Sequence, residues 1–101
     1  MREKNIEEYL RDQVKAQGGK AYKFVSPGNA GVPDRLILFP SGRIFFVELK
    51  APGKKSTPLQ ESQQTKIRNM GFTVLVIDSK QAVDAFIKKH VVQNLDNIIR
   101  T

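Results

Sequence analysis

Residues 33–50 read PDRLILFPSGRIFFVELK. Pro40-Ser41-Gly42 is a turn signal between two apolar runs, DRLILF at 34–39 and RIFFVELK at 43–50. Both runs favour strand, and so short a connection pairs them as an antiparallel hairpin. A hairpin centred on residue 41 sets Asp34 opposite Glu48. Strands repeat every two residues, so Glu48 and Lys50 project from one face, about 7 Å apart along the strand. Charged groups at the end of an apolar strand cost stability unless they are paired or liganded, and like charges directly opposite repel. A shared divalent cation resolves that repulsion, and hard oxygen donors suit Mg²⁺ or Mn²⁺. The backbone carbonyl of Leu49, between the two side chains, is a further candidate ligand. The competing reading leaves Asp34 and Glu48 as salt-bridged surface acids.

The chain continues outward in recognisable pieces. APGKKST, residues 51–57, is a basic loop. Thr57 as N-cap, Pro58 at N1 and Glu61 in the first turn open a helix that runs to about Asn69. After Gly71, FTVLVID at 72–78 is a strand expected to be buried on both faces. Strands 43–50 and 72–78 are then parallel, joined by a right-handed crossover. Ser79 caps a helix from Lys80 to about His90, with Ala82, Val83, Phe86 and Ile87 on one face. The tail 91–101 is a helical extension with a stripe of Val92, Leu95, Ile98 and Ile99, which either docks on the core or meets a second subunit.

Upstream, SPGNAGVP at 26–33 is an irregular loop and KAYKFV at 20–25 a strand. Residues 3–17 form a helix with Ile6, Leu10 and Val14 on its apolar stripe, stopped by Gly18-Gly19. The order αβββαβα defines one α/β domain over 1–101, a mixed central sheet flanked by helices. Tyr22, Phe24, Phe39, Phe45 and Phe46 are expected in the core rather than as platforms for bases, and His90 at the surface.

Composition removes several functions. With 101 residues there is room for one core. Cysteine is absent and histidine occurs once, so disulfide frameworks, zinc knuckles, thiol nucleophiles and multi-histidine metal sites are excluded. The apolar runs are too short to span a membrane, and the charged N-terminus is no signal peptide. A cytoplasmic protein is the expectation.

The formal charge is +7, which points to a polyanionic partner. It is concentrated: residues 15–55 hold eight basic side chains and two acidic ones, a net +6. Those two acids are Asp34 and Glu48.

Pro33-Asp34…Glu48-Leu49-Lys50 resembles the PD-(D/E)XK motif of the restriction-endonuclease-like nucleases. More narrowly, Gly31-Val32-Pro33-Asp34-Arg35, Val47-Glu48-Leu49-Lys50, Pro58-Leu59-Gln60 and Gly71-Phe72 resemble the VRR-NUC family, whose stand-alone members occur in phages and bacteria. The resemblance covers roughly residues 3–80 and implies a restriction-endonuclease-like αβββαβ core. It implies that Asp34, Glu48 and the Leu49 carbonyl hold Mg²⁺ or Mn²⁺. Lys50 then orients or deprotonates the attacking water, and Gln60 hydrogen-bonds to the site or the phosphate.

The family also places a glutamate on the first helix. At 100° per residue, Glu7 lies about 60° from the centre of the apolar stripe and Glu3 about 20°, whereas Glu8 lies about 160° away and faces solvent. Glu7 best matches the family pattern, as a ligand directly or through water, and Glu3 remains open.

Lys23, Arg35, Lys54 and Lys55, with the loop carrying Ser26 and Gly28, are expected to meet the DNA backbone without sequence preference. The resemblance further implies a homodimer that cuts branched DNA such as four-way junctions. Monomeric nicking or flap cleavage, a non-catalytic DNA-binding module and a structural or regulatory protein are the competing readings.

Overall fold

A computed structural model describes residues 2–92. Helix α1 spans Glu3–Ala16. Strands β1 (Lys20–Lys23), β2 (Arg35–Phe39) and β3 (Arg43–Leu49) follow. Helix α2 is Pro58–Asn69, β4 is Thr73–Ile77 and α3 is Lys80–Phe86, prolonged as a π-helix over Ile87–Val92. The four strands form one sheet in the order β1-β2-β3-β4. The first two pairings are antiparallel and β3 with β4 is parallel. This is the α/β class with a mixed, helix-flanked sheet that the pattern of elements requires.

The β2–β3 register pairs Arg35 with Val47 and Phe39 with Arg43. It is centred on residue 41, so the next pair outward is Asp34 with Glu48. The turn closes through Ser41 at φ 69° and Gly42 at φ 74°. The left-handed conformation is costly for Ser41, and the short connection between fixed strands imposes it.

One face of the sheet carries the main core. Ile37, Phe39, Phe45, Val47, Leu49 and Ile77 pack against Ile6, Leu10 and Val14 of α1 and Val83, Phe86, Ile87 and Val91 at the C-terminal helix. Each fully buried aliphatic side chain in this layer contributes about 1.5–3 kcal/mol. Tyr9 reaches across to donate a 2.6 Å hydrogen bond to Asp84, tying α1 to α3. Helix α2 lies on the other face, where Ile67 and Val74 are buried.

Three expectations are corrected. Strand β4 is an edge strand, not one buried on both faces: Val76 is 40% exposed because α2 covers only part of that side. Tyr22 is likewise exposed, its ring under the Lys20 ammonium at 4.9 Å, because β1 forms the other edge. Phe24 and Phe46 are half-buried, edge to face with each other on the side away from the main core. His90 is not a free surface side chain. It is half-buried with its ring against Phe45 and Phe86, and burial, followed by the Lys89 charge, lowers its pKa.

The apolar tail stripe at Leu95, Ile98 and Ile99 lies outside the described residues. Among the described residues no helix is long and apolar enough to cross a membrane.

Candidate active site

The hairpin register delivers the two acids to one place. Asp34 precedes β2 and accepts a 2.9 Å hydrogen bond at Oδ2 from the Leu49 N–H. That bond locks the Asp34 carboxylate against the end of β3. Glu48 belongs to the β3 face that lies toward α2, and only 2% of it is exposed. Its Oε1 is buried and has no hydrogen-bond partner among the described residues. A buried carboxylate oxygen left orphaned costs free energy unless something positive or protonated meets it.

The electrostatics follow. Burial pushes the Glu48 carboxyl up to about 8, reinforced by the neighbouring Asp34 carboxylate. Lys50 opposes that rise and Glu3 adds to it. The Lys50 ammonium sits 3.9 Å from Glu48 Oε2. Two carboxylates in contact and one lysine are thus gathered in a water-poor corner. This donor set fits a divalent cation held through hard oxygens, with the orphaned Oε1 as the free lone pair.

Gln60 joins the site to α2. Its side-chain oxygen accepts from Lys50 Nζ at 2.6 Å and from the Thr57 N–H at 2.9 Å. Its amide group donates to Glu48 Oε2 at 3.5 Å. Thr57 Oγ1 accepts from the Gln60 N–H in return, completing a capping box. One side chain therefore starts the helix and aims the lysine. We expect Gln60→Ala to cost about 0.5–1 kcal/mol of stability through the lost hydrogen bond to the Thr57 N–H, the Thr57 cap on the residue-60 backbone remaining. Cleavage should fall further than that stability loss explains. Thermal unfolding and initial rates on one preparation separate the two effects.

The loop before Asp34 is pressed onto the same helix. Gly31 has φ +89°, and a Cβ there would meet the Leu59 side chain at 2.9 Å. Gln63 donates to the Ala30 carbonyl at 3.2 Å. Only glycine satisfies both the backbone conformation and the close approach. Within the loop, Ser26 Oγ accepts from the Asn29 amide, and Gly28 is exposed at φ +80°.

The first-helix acids separate. The Glu7 carboxylate is engaged by the Arg35 guanidinium, whose side chain is only 11% exposed. Among the described residues no group of three or more acids or histidines is arranged to hold a metal ion. Glu3 is exposed but near enough for its charge to act on Glu48. Both glutamates line a cavity of about 280 Å³ with Lys23, Asp34, Arg35 and Leu49.

Of the cations expected to meet DNA, Lys23, Lys54 and Lys55 are exposed, whereas Arg35 is turned inward onto Glu7. The sequence reading missed that pairing, since no local pattern links a helix residue to a strand residue 28 positions on. It also missed the double use of Gln60, although Thr57-x-x-Gln60 is a capping-box signature.

The fold and this corner define an α/β nuclease domain. No family model matches the chain. It is 51% identical over 80 residues to "Putative nuclease p44" of Acyrthosiphon pisum secondary endosymbiont phage 1, covering 79% of this chain and 86% of that protein. A solved structure described as a VRR_NUC domain superposes with a TM-score of 0.82 at 32% identity, covering 87% of this chain and 96% of that one. The chain belongs to the VRR-NUC family of nucleases.

Proposed function

We propose that the protein is a divalent-metal-dependent DNA endonuclease that cuts branched DNA, such as four-way junctions, as a homodimer in the bacterial cytoplasm. The observation that carries the metal-dependent part is the contact of Asp34 and Glu48, with Glu48 Oε1 buried and unpartnered beside Lys50. Asp34 and Glu48, with the Leu49 carbonyl, hold Mg²⁺ or Mn²⁺. The bound ion supplies Lewis acidity toward the phosphate and a lowered pKa for water.

The protein's own groups do the positioning. The Leu49 N–H fixes the Asp34 carboxylate. Gln60 holds the Lys50 ammonium toward the corner, where it orients the attacking water and stabilises charge that develops on the phosphate oxygens. Glu7 serves through its hold on Arg35, which braces β2 beside Asp34. Glu7 is also the first-helix acid that would meet the metal, directly or through water, with Glu3, whose charge acts on Glu48, as the alternative. Lys23, Lys54, Lys55 and the Ser26–Gly28 loop meet the phosphate backbone.

Recognition of DNA shape is favoured because the exposed lysines suit contacts to the phosphate backbone, which carry no sequence information. Cutting two strands needs two sites, which two-fold symmetry provides. A half-covered apolar sheet face, with Leu38, Ile44 and Phe72 all at least 36% exposed, offers area for a second copy. Solution mass together with cleavage mapping on a four-way junction tests this. The expected result is a dimer making paired, symmetric nicks. A monomer that cuts one strand, or cuts linear duplex equally well, would favour the nicking reading.

A further inference from the structure

Glu3, Glu7, Arg11 and Lys15 recur every fourth residue, so they form a ridge that winds about 40° per step around α1, from the border of its buried stripe out to solvent. The ridge changes sign along its length. Its acidic half lines the cavity that holds Asp34. Its basic half lines a second and larger cavity, about 520 Å³, with Asp12, Gly19, Lys20, Ala21 and Arg35. Arg35 is common to both cavities, which makes them adjoining stretches of one surface.

Arg11, Lys15 and Lys20 are exposed, and none forms an ion pair among the described residues. Arg11 and Lys15 therefore stand beside a single acid, Asp12, while the Lys20 ammonium lies over the Tyr22 ring. Along the helix axis, Arg11 and Lys15 lie about 6 and 12 Å beyond Glu7. A DNA strand advances about 3.4 Å per nucleotide, so these offsets correspond to roughly two and four nucleotides of strand beyond Glu7.

The geometry points to a phosphate-binding track along α1 and the edge strand β1, with Arg11 and Lys15 as its principal contacts and Lys20 on its rim. It carries the DNA strand that leaves the scissile phosphate, and it lies apart from the Lys54–Lys55 loop at the other end of β3. This rests on the nuclease reading for the identity of the bound polymer. The exposed cations along α1 fit a backbone, not a base, so the track is blind to sequence.

The test uses the full chain and a fluorescent four-way junction, with binding measured in Ca²⁺ over a salt series. Arg11→Glu/Lys15→Glu should weaken binding about 10- to 100-fold and lower the slope of log affinity against log salt by about 2. Arg11→Gln/Lys15→Gln should fall between it and wild type, with unfolding temperature unchanged. Lys66→Glu/Lys88→Glu, with the same change in net charge, should have a much smaller effect. Equal losses from the control pair and the ridge pair would overturn the track, as would an unchanged salt slope. Cleavage of saturating junction by wild type in Mg²⁺ tests the nuclease reading separately. A protein that loses binding through the ridge but never cleaves would keep the track and remove the nuclease.

Discussion

Glu48→Gln reduces cleavage by at least about 10³-fold, equivalent to about 4 kcal/mol of transition-state stabilisation. The substitution keeps the shape of the side chain and a hydrogen-bonding group for Asp34 and Gln60. It removes the negative charge and the oxygen lone pairs that a cation needs. Glu48 is almost fully buried and its Oε1 is unpartnered among the described residues, so no neighbouring side chain replaces what is lost. The fold should be retained and even gain stability without metal, because a buried carboxyl that resists ionisation has been neutralised. Initial rates in Mg²⁺ at saturating DNA, beside thermal unfolding in EDTA, measure both. A loss of tenfold or less would take Glu48 out of the metal-holding role.

The metal-free protein becomes less stable as pH rises from about 5 to about 8, and divalent metal reverses the loss. The sign follows from Glu48, whose carboxyl is raised from 4.5 to about 8 in the fold. Its neutral form is favoured in the folded state. That contribution is therefore fully present below the unfolded value and is lost as pH climbs through the folded one. Each unit of difference is worth about 1.4 kcal/mol, so the loss amounts to a few kcal/mol. A bound cation needs the ionised form and repays the cost, most strongly at the alkaline end. Thermal unfolding at several pH values, with EDTA or Mn²⁺, should show the metal-induced rise in Tm growing with pH. Glu48→Gln should flatten both curves. A wild-type Tm in EDTA that is level across this window would show that Glu48 ionises freely.

The hairpin was legible because its turn and its alternation are local. Pro40-Ser41-Gly42 fixed the register, and the register alone brought Asp34 level with Glu48. The helix starts at Thr57 and Ser79 were readable for the same reason, each cap lying within three residues of its partner. What resisted reading depends on the third dimension. Strand β4 looks uniformly apolar, but its place at the sheet edge leaves Val76 in solvent. The ion pair between Glu7 and Arg35 joins residues from across the fold, and no local periodicity announces it. Helical angles placed Glu3 near the apolar stripe. Only the packing of α1 over the sheet shows its charge acting on Glu48.

The proposed nuclease chemistry depends on Asp34 and Glu48 together forming a divalent cation site. Calorimetric titration of the metal-free protein with Mn²⁺ near pH 8 tests it without reliance on any DNA substrate. Wild type should bind saturably, with protons released as the carboxyls ionise, and both Asp34→Asn and Glu48→Gln should lose that binding. Mn²⁺ binding of unchanged affinity in those two variants would contradict it.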